Sequence, residues 1–88
     1  MLEALPNLGP KSGEMLRRAG IDNLNQLRKL GAVRAYLRVK RADGRASLNL
    51  LWALEGALSN RPWQEVARND RLSLLLALEA LEKGEHAI

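Results

Sequence analysis

Leu5-Pro6-Asn7-Leu8-Gly9-Pro10-Lys11-Ser12, continued after Gly13 by Glu14-Met15-Leu16-Arg17-Arg18-Ala19-Gly20-Ile21, sets the register of this 88-residue chain. It reads as a tight turn opening onto the N-terminus of a short helix. Pro10 suits the first helical turn, where its missing N–H removes no bond. Gly9 lets the backbone bend and come close to a partner. The amides that follow, with Lys11 and Ser12, then point outward as free donors. Unpaired N–H groups at a helix N-terminus beside a cation form a natural phosphate site.

Downstream, the chain divides into short helical segments with clear punctuation. Residues 10–19 form the first helix, with Ser12, Met15, Leu16 and Ala19 on an inward stripe and Lys11, Glu14, Arg17 and Arg18 outside. Gly20 stands where a glycine ends a helix. Residues 2–5 supply at most one preceding helical turn. Asp22 or Asn23 caps a second helix with Leu24, Leu27 and Leu30 inside. Gly31 closes that helix or bends it into a third segment over roughly 32–42, with Val33, Tyr36, Leu37 and Val39 inward.

Asp43-Gly44 is a turn signal, and Ser47 caps a helix from Leu48 to Leu58 that is apolar nearly all round, the mark of a central buried helix. Asn60-Arg61-Pro62 breaks the chain before a short turn at 63–67. Asp70 caps a last helix to about Lys83, with Gly84 as its stop. Leu72, Leu74, Leu75, Leu76, Leu78 and Leu81 cover more of that helix than one packed face needs. No segment alternates strongly enough to demand a strand, and no repeat or linker interrupts the pattern. The expectation is one all-α domain over 1–88, a compact bundle of five or six short helices with a helix-hairpin-helix-like element near the N-terminus.

Composition narrows the function classes. The chain has no cysteine, so disulfides and thiolate metal sites are excluded. No apolar run approaches the roughly 20 residues of a membrane span, and the N-terminus lacks the basic-then-apolar order of a secretory signal. A cytoplasmic protein without membrane contact is the expectation. The net charge of +4 is unevenly spread. Residues 1–45 hold ten Lys and Arg against four Asp and Glu, whereas residues 46–88 hold four against six. The first half suits a polyanion, and the second reads as scaffold.

No catalytic constellation is legible. The single histidine, His86, lies beyond the expected end of the last helix. The acidic residues form no pair suited to acid–base work or to a metal cage. No phosphate loop or dinucleotide fingerprint occurs. The expectation is a non-enzyme without cofactor. Glu55, among Leu54, Gly56 and Leu58, reads as an edge carboxylate or one paired to an arginine. Gly56, with Ala53 and Ala57, is expected to let a neighbouring helix pack close.

The hairpin block, with Leu27-Arg28-Lys29-Leu30-Gly31-Ala32-Val33 and Ser47-Leu48-Asn49-Leu50-Leu51-Trp52-Ala53-Leu54-Glu55-Gly56-Ala57-Leu58, resembles the C-terminal domain of TfoX/Sxy-type competence regulators. The likeness runs from about residue 4 to beyond Trp63. It implies a helical domain with a helix-hairpin-helix-like element. It also implies a link to transcriptional control of DNA-uptake genes, where full-length members act with a cyclic-AMP-responsive activator. The motif begins at residue 5, so the expected form is a standalone version without the N-terminal TfoX domain. DNA-binding hairpins of this type commonly carry two glycines; here Gly9 holds one position and Asn7 the other. Asn tolerates left-handed backbone better than most residues.

Two readings follow. In the first, the chain binds DNA without sequence preference through backbone phosphates. Asn7, Gly9, Lys11 and Ser12 supply the hairpin contacts. Arg34, Arg38, Arg41 and Arg45, at i, i+4, i+7 and i+11, form a second stripe if the helix runs that far. In the second, the chain is a protein-interaction module that docks a transcription factor, a polymerase subunit or another copy of itself. The leucines of the last helix, 74, 75, 76 and 78, would then form the dimer surface.

Overall fold

The computed structural model describes Leu2 and residues 5–86, and among these residues the chain is all-helical. Five helices follow one another: α1 (Pro10–Arg18), α2 (Leu24–Ala42), α3 (Leu48–Ser59), α4 (Trp63–Asn69) and α5 (Arg71–His86). Within the described residues no helix is long and apolar enough to cross a membrane.

The helix boundaries have local causes. α1 ends in a Schellman motif: the Gly20 N–H donates to the Arg17 carbonyl at 3.0 Å and the Ile21 N–H to the Leu16 carbonyl at 2.9 Å. Gly20 carries the left-handed backbone (φ +85) that this closure requires, while Ile21 and Leu16 are fully buried against the core. Asn23, rather than Asp22, caps α2, its Oδ1 accepting the Gln26 N–H at 2.9 Å. Gly31 bends α2 through φ +79, ψ +166, a region essentially reserved for glycine. The helical path is interrupted at this residue, so the segments on either side of Gly31 are two helical stretches joined at a kink, as the sequence indicates.

α3 is the hub. Leu50, Leu51, Trp52, Ala53, Leu54, Gly56 and Ala57 are buried, and α3 packs on both α2 and α4. α5 lies against α2 and α4, and α1 against α2. α2 turns Ala32, Ala35, Tyr36, Leu37 and Val39 inward, with Val33 only half-buried. Leu51 and Leu54 show no exposure; truncating such a leucine to alanine costs about 2–5 kcal/mol.

Several local expectations are corrected. Ser47 occupies the N-cap of α3 but makes no side-chain capping bond. α4 runs to Asn69, two residues beyond the expected turn. Asp70 does stand immediately before α5, its carbonyl accepting the Leu74 N–H at 3.0 Å, and its carboxylate takes both guanidinium arms of Arg61. Gly84 does not stop α5, which continues to His86. Gly84 lacks the left-handed backbone that ends a helix, and a glycine inside one costs only about 1 kcal/mol. Of the α5 leucines, Leu78 is buried, Leu74 and Leu75 are half-buried, and Leu72 and Leu76 are the exposed ones. The helical turn expected over 2–5 includes residues 3 and 4, which lie outside the described residues. Leu2 itself is buried, and its carbonyl accepts the Leu5 N–H at 3.1 Å.

Candidate nucleic-acid interface

The hairpin is built from Leu5 to Leu8. The Leu8 N–H donates to the Leu5 carbonyl at 3.3 Å, closing a four-residue turn with Pro6 second and Asn7 third. Asn7 has φ +70, the left-handed backbone that the third position of a type II turn demands. Leu8 is buried and anchors the turn in the core. Gly9 is the N-cap of α1 and offers no side-chain cap, and Pro10 is the first helical residue. The Gly13 N–H makes the first helical bond, to the Gly9 carbonyl at 3.0 Å. Helix geometry leaves the Lys11 and Ser12 amides without an intrahelical partner. No acidic residue in the first turn offsets the positive end of the helix dipole.

The Asn7 side chain faces inward. Its Nδ2 donates to the Arg61 carbonyl at 2.8 Å, and its Oδ1 accepts the Trp63 N–H at 3.1 Å. One amide thus ties the hairpin to the α3–α4 connection, more than fifty residues away in sequence. Gly56 is required by the same junction. A Cβ there would collide with the Asn7 amide and lie 2.6 Å from the Arg61 carbonyl. The nearest neighbours of Gly56 are thus this amide clasp and the connection to α4, the helix that packs on α3.

Beside the clasp lies an open groove of about 410 Å³. The hairpin and α1 contribute Asn7, Lys11, Ser12 and Met15; the α2–α3 connection contributes Asp43, Arg45 and Ser47. Asn49 and Leu50 of α3 and Trp63 of α4 complete it, and Trp63 remains 38% exposed. Arg45 is held at the rim by Asp43, with Nε to Oδ1 at 3.1 Å and its own backbone N–H on the same oxygen at 3.1 Å. The hydrogen bonds from Arg45 keep the Asp43 carboxyl below the usual carboxylate range and push the Arg45 guanidinium up.

The sequence-predicted cations fall into two places. Lys11, Ser12 and Arg45 line the hairpin groove together with Asn7. Arg34, Arg38 and Arg41 line a different groove of about 280 Å³, between α2 and α5, with Leu30, Leu37 and Leu81. Arg45 is not the fourth member of their stripe, because α2 ends at Ala42 and Arg45 sits in the following loop. Gly9 has ordinary backbone, and nothing lies within 4 Å of where its Cβ would be, so the fold leaves that position open. Trp63, Ser47 and Asn49 were not legible as site residues. Only the Asn7 clasp and the α3 register bring them to the hairpin.

At the same α3–α4 connection, Arg61 forms a half-buried bidentate pair with Asp70. The Arg61 hydrogen bonds hold Asp70 below the usual carboxylate range. Glu55 is half-buried in α3; loss of solvent pushes its carboxyl up, and Arg61 only partly opposes this.

This is a small helical domain built around a hairpin that opens onto a helix N-terminus. The chain belongs to the TfoX C-terminal domain family, whose sequence model matches residues 1–78. It is 35% identical over 77 residues to the DNA transformation protein TfoX of Haemophilus influenzae, a match that covers 88% of this chain and 36% of that protein. The chain therefore spans about a third of its curated relative. Two crystal structures from Listeria monocytogenes, described as an uncharacterized protein and a protein of unknown function, share the fold. The triclinic form superposes with a TM-score of 0.79 at 31% identity, covering 92% of both chains. The tetragonal form gives 0.79 at 30% identity, covering 91% of this chain and 99% of the other.

Proposed function

We propose that this domain binds DNA through backbone phosphates at the hairpin groove and acts in the control of DNA uptake. The observation that carries the reading is the α1 N-terminus. Two amides without helical partners and Lys11 beside them present donors and positive charge to one surface, and Arg45, paired to Asp43, lines the groove with Lys11. The kinship with a DNA transformation protein supports the biological setting. Such contacts position a phosphate backbone and read no bases, so binding is not sequence-specific. A single element of this kind binds weakly and is strongly salt-sensitive. The test is anisotropy of a labelled duplex at two salt concentrations. Binding that weakens as salt rises is expected; no binding at low salt and high protein concentration overturns the reading.

A second reading rests on α5. Leu72 is 71% exposed and Leu76 56%, one turn apart on a helix whose other side packs on α2 and α4. This apolar strip suits a protein partner, a second copy included. Light scattering over a range of concentrations tests the self-association version, and a strict monomer removes it.

A further inference from the structure

The hairpin groove contains more than a phosphate contact needs. Among the described residues, the large hydrophobic side chains left exposed are Trp63, Leu72 and Leu76. The leucines belong to α5, whereas Trp63 lines the groove with Lys11, Ser12 and Arg45. Its position there is built, since the Asn7 Oδ1 that accepts the Trp63 N–H belongs to the turn that opens α1. An aromatic ring and a cationic helix start are thus held to one another by a single side chain. Duplex DNA keeps its bases stacked inside and presents only phosphates and groove edges to such a surface. An unpaired nucleotide presents both a flat apolar ring and a phosphate, and a ring beside cations is how single strands are held without sequence preference. A volume of about 410 Å³ falls within the roughly 300–1,000 Å³ of small-ligand sites. The charge has the right sign, though modestly: Lys11 and Arg45 outweigh Asp43, with which Arg45 is paired, and the first turn of α1 carries no acid.

We propose that the groove accepts an unpaired nucleotide of single-stranded nucleic acid, with the base stacked on the Trp63 indole and the phosphate held by Lys11 and Arg45. This rests on the DNA-binding reading and makes it more specific: the preferred ligand is a single strand rather than a duplex.

The experiment compares a labelled short oligothymidylate with a duplex of equal length, followed by anisotropy and by tryptophan emission. Trp52 is buried in α3 and supplies a constant background. The single strand is expected to bind more tightly than the duplex and to quench the Trp63 emission. Trp63→Ala should weaken single-strand binding roughly tenfold, the loss of about one base–aromatic stack, and leave duplex binding unchanged. Trp63→Phe, which keeps a ring, should retain most of the affinity, and thermal melts check that both variants fold. Duplex binding equal to single-strand binding, with Trp63→Ala altering neither, overturns the stacking proposal and leaves phosphate binding intact. Absence of binding to either nucleic acid overturns both. An acidic peptide that quenches Trp63 where oligothymidylate does not would make the groove a peptide site and likewise overturn the proposal.

Discussion

Two basic surfaces of this molecule differ in how they are held. The hairpin groove is fixed by bonds between distant parts of the chain: Asn7 joins the turn to Arg61 and Trp63, and Gly56 leaves the space in which that amide sits. The α2–α5 groove is basic because Arg34, Arg38 and Arg41 follow one another along an exposed helix face. The first places charge, amides and an aromatic ring in a defined relation. The second supplies positive potential on a solvated helix. Recognition needs the first kind of order, while the second adds attraction that salt screens.

The contrast can be broken at its strongest point, the clasp. Gly56→Ala forces a Cβ onto the Asn7 amide and the Arg61 carbonyl, and should destabilise the fold by about 1–3 kcal/mol, the usual range for overpacking. Gly9→Ala, with open space and ordinary backbone, should cost about 1 kcal/mol or less, the advantage of glycine over alanine at an N-cap. Urea melts of the two variants provide the comparison; similar losses would mean that the clasp is not the tighter region. Asn7→Ala removes one donor and one acceptor together and leaves the Arg61 carbonyl and the Trp63 N–H without them. A loss of about 1–3 kcal/mol is expected. Arg34→Ala and Arg38→Ala, on the exposed face of α2, should change stability by no more than about 0.5 kcal/mol.

The acid limb of stability probes the same junction more gently. Asp70 titrates below its unfolded value because Arg61 holds the carboxylate. The stabilisation is therefore complete above the unfolded carboxylate range, about 3.9, and is lost as pH falls through the folded value. Glu55 acts in the opposite sense. Burial raises its pKa, so its charged form costs stability as pH rises through that value, and acid relieves the cost. Asp70→Asn should flatten the loss of stability below about pH 4, and Glu55→Gln should remove a cost at neutral pH. An unchanged acid limb in Asp70→Asn would show that the Arg61–Asp70 pair contributes nothing to it.

The helices were largely legible because their signals are local. Gly20 and Asn23 mark ends through backbone geometry and side-chain capping within a few residues, and the apolar sequence around Leu51 and Leu54 could only be buried. The sequence is silent where a residue acts at a distance, and misleads where a glycine has no turn to serve. Asp70 precedes α5 as the sequence indicates, but nothing local announces that its carboxylate is taken by Arg61, nine residues earlier. Gly84 looks like a stop, yet α5 has no turn there that would use a glycine. The site was legible only in part, for the same reason. Lys11 and Ser12 follow from the hairpin itself, but Arg45 and Trp63 join them through tertiary packing, and no local pattern announces that Asn7 reaches Arg61 and Trp63.

The most direct measurement is the affinity of labelled DNA for two charge reversals, Lys11→Glu in the hairpin groove and Arg38→Glu on α2, at one low salt concentration. A hairpin-centred site predicts a loss of at least about tenfold for Lys11→Glu and about twofold for Arg38→Glu. Equal losses would contradict it, because they would mean that DNA responds to the charge of the whole surface and not to the groove that Asn7 holds in place.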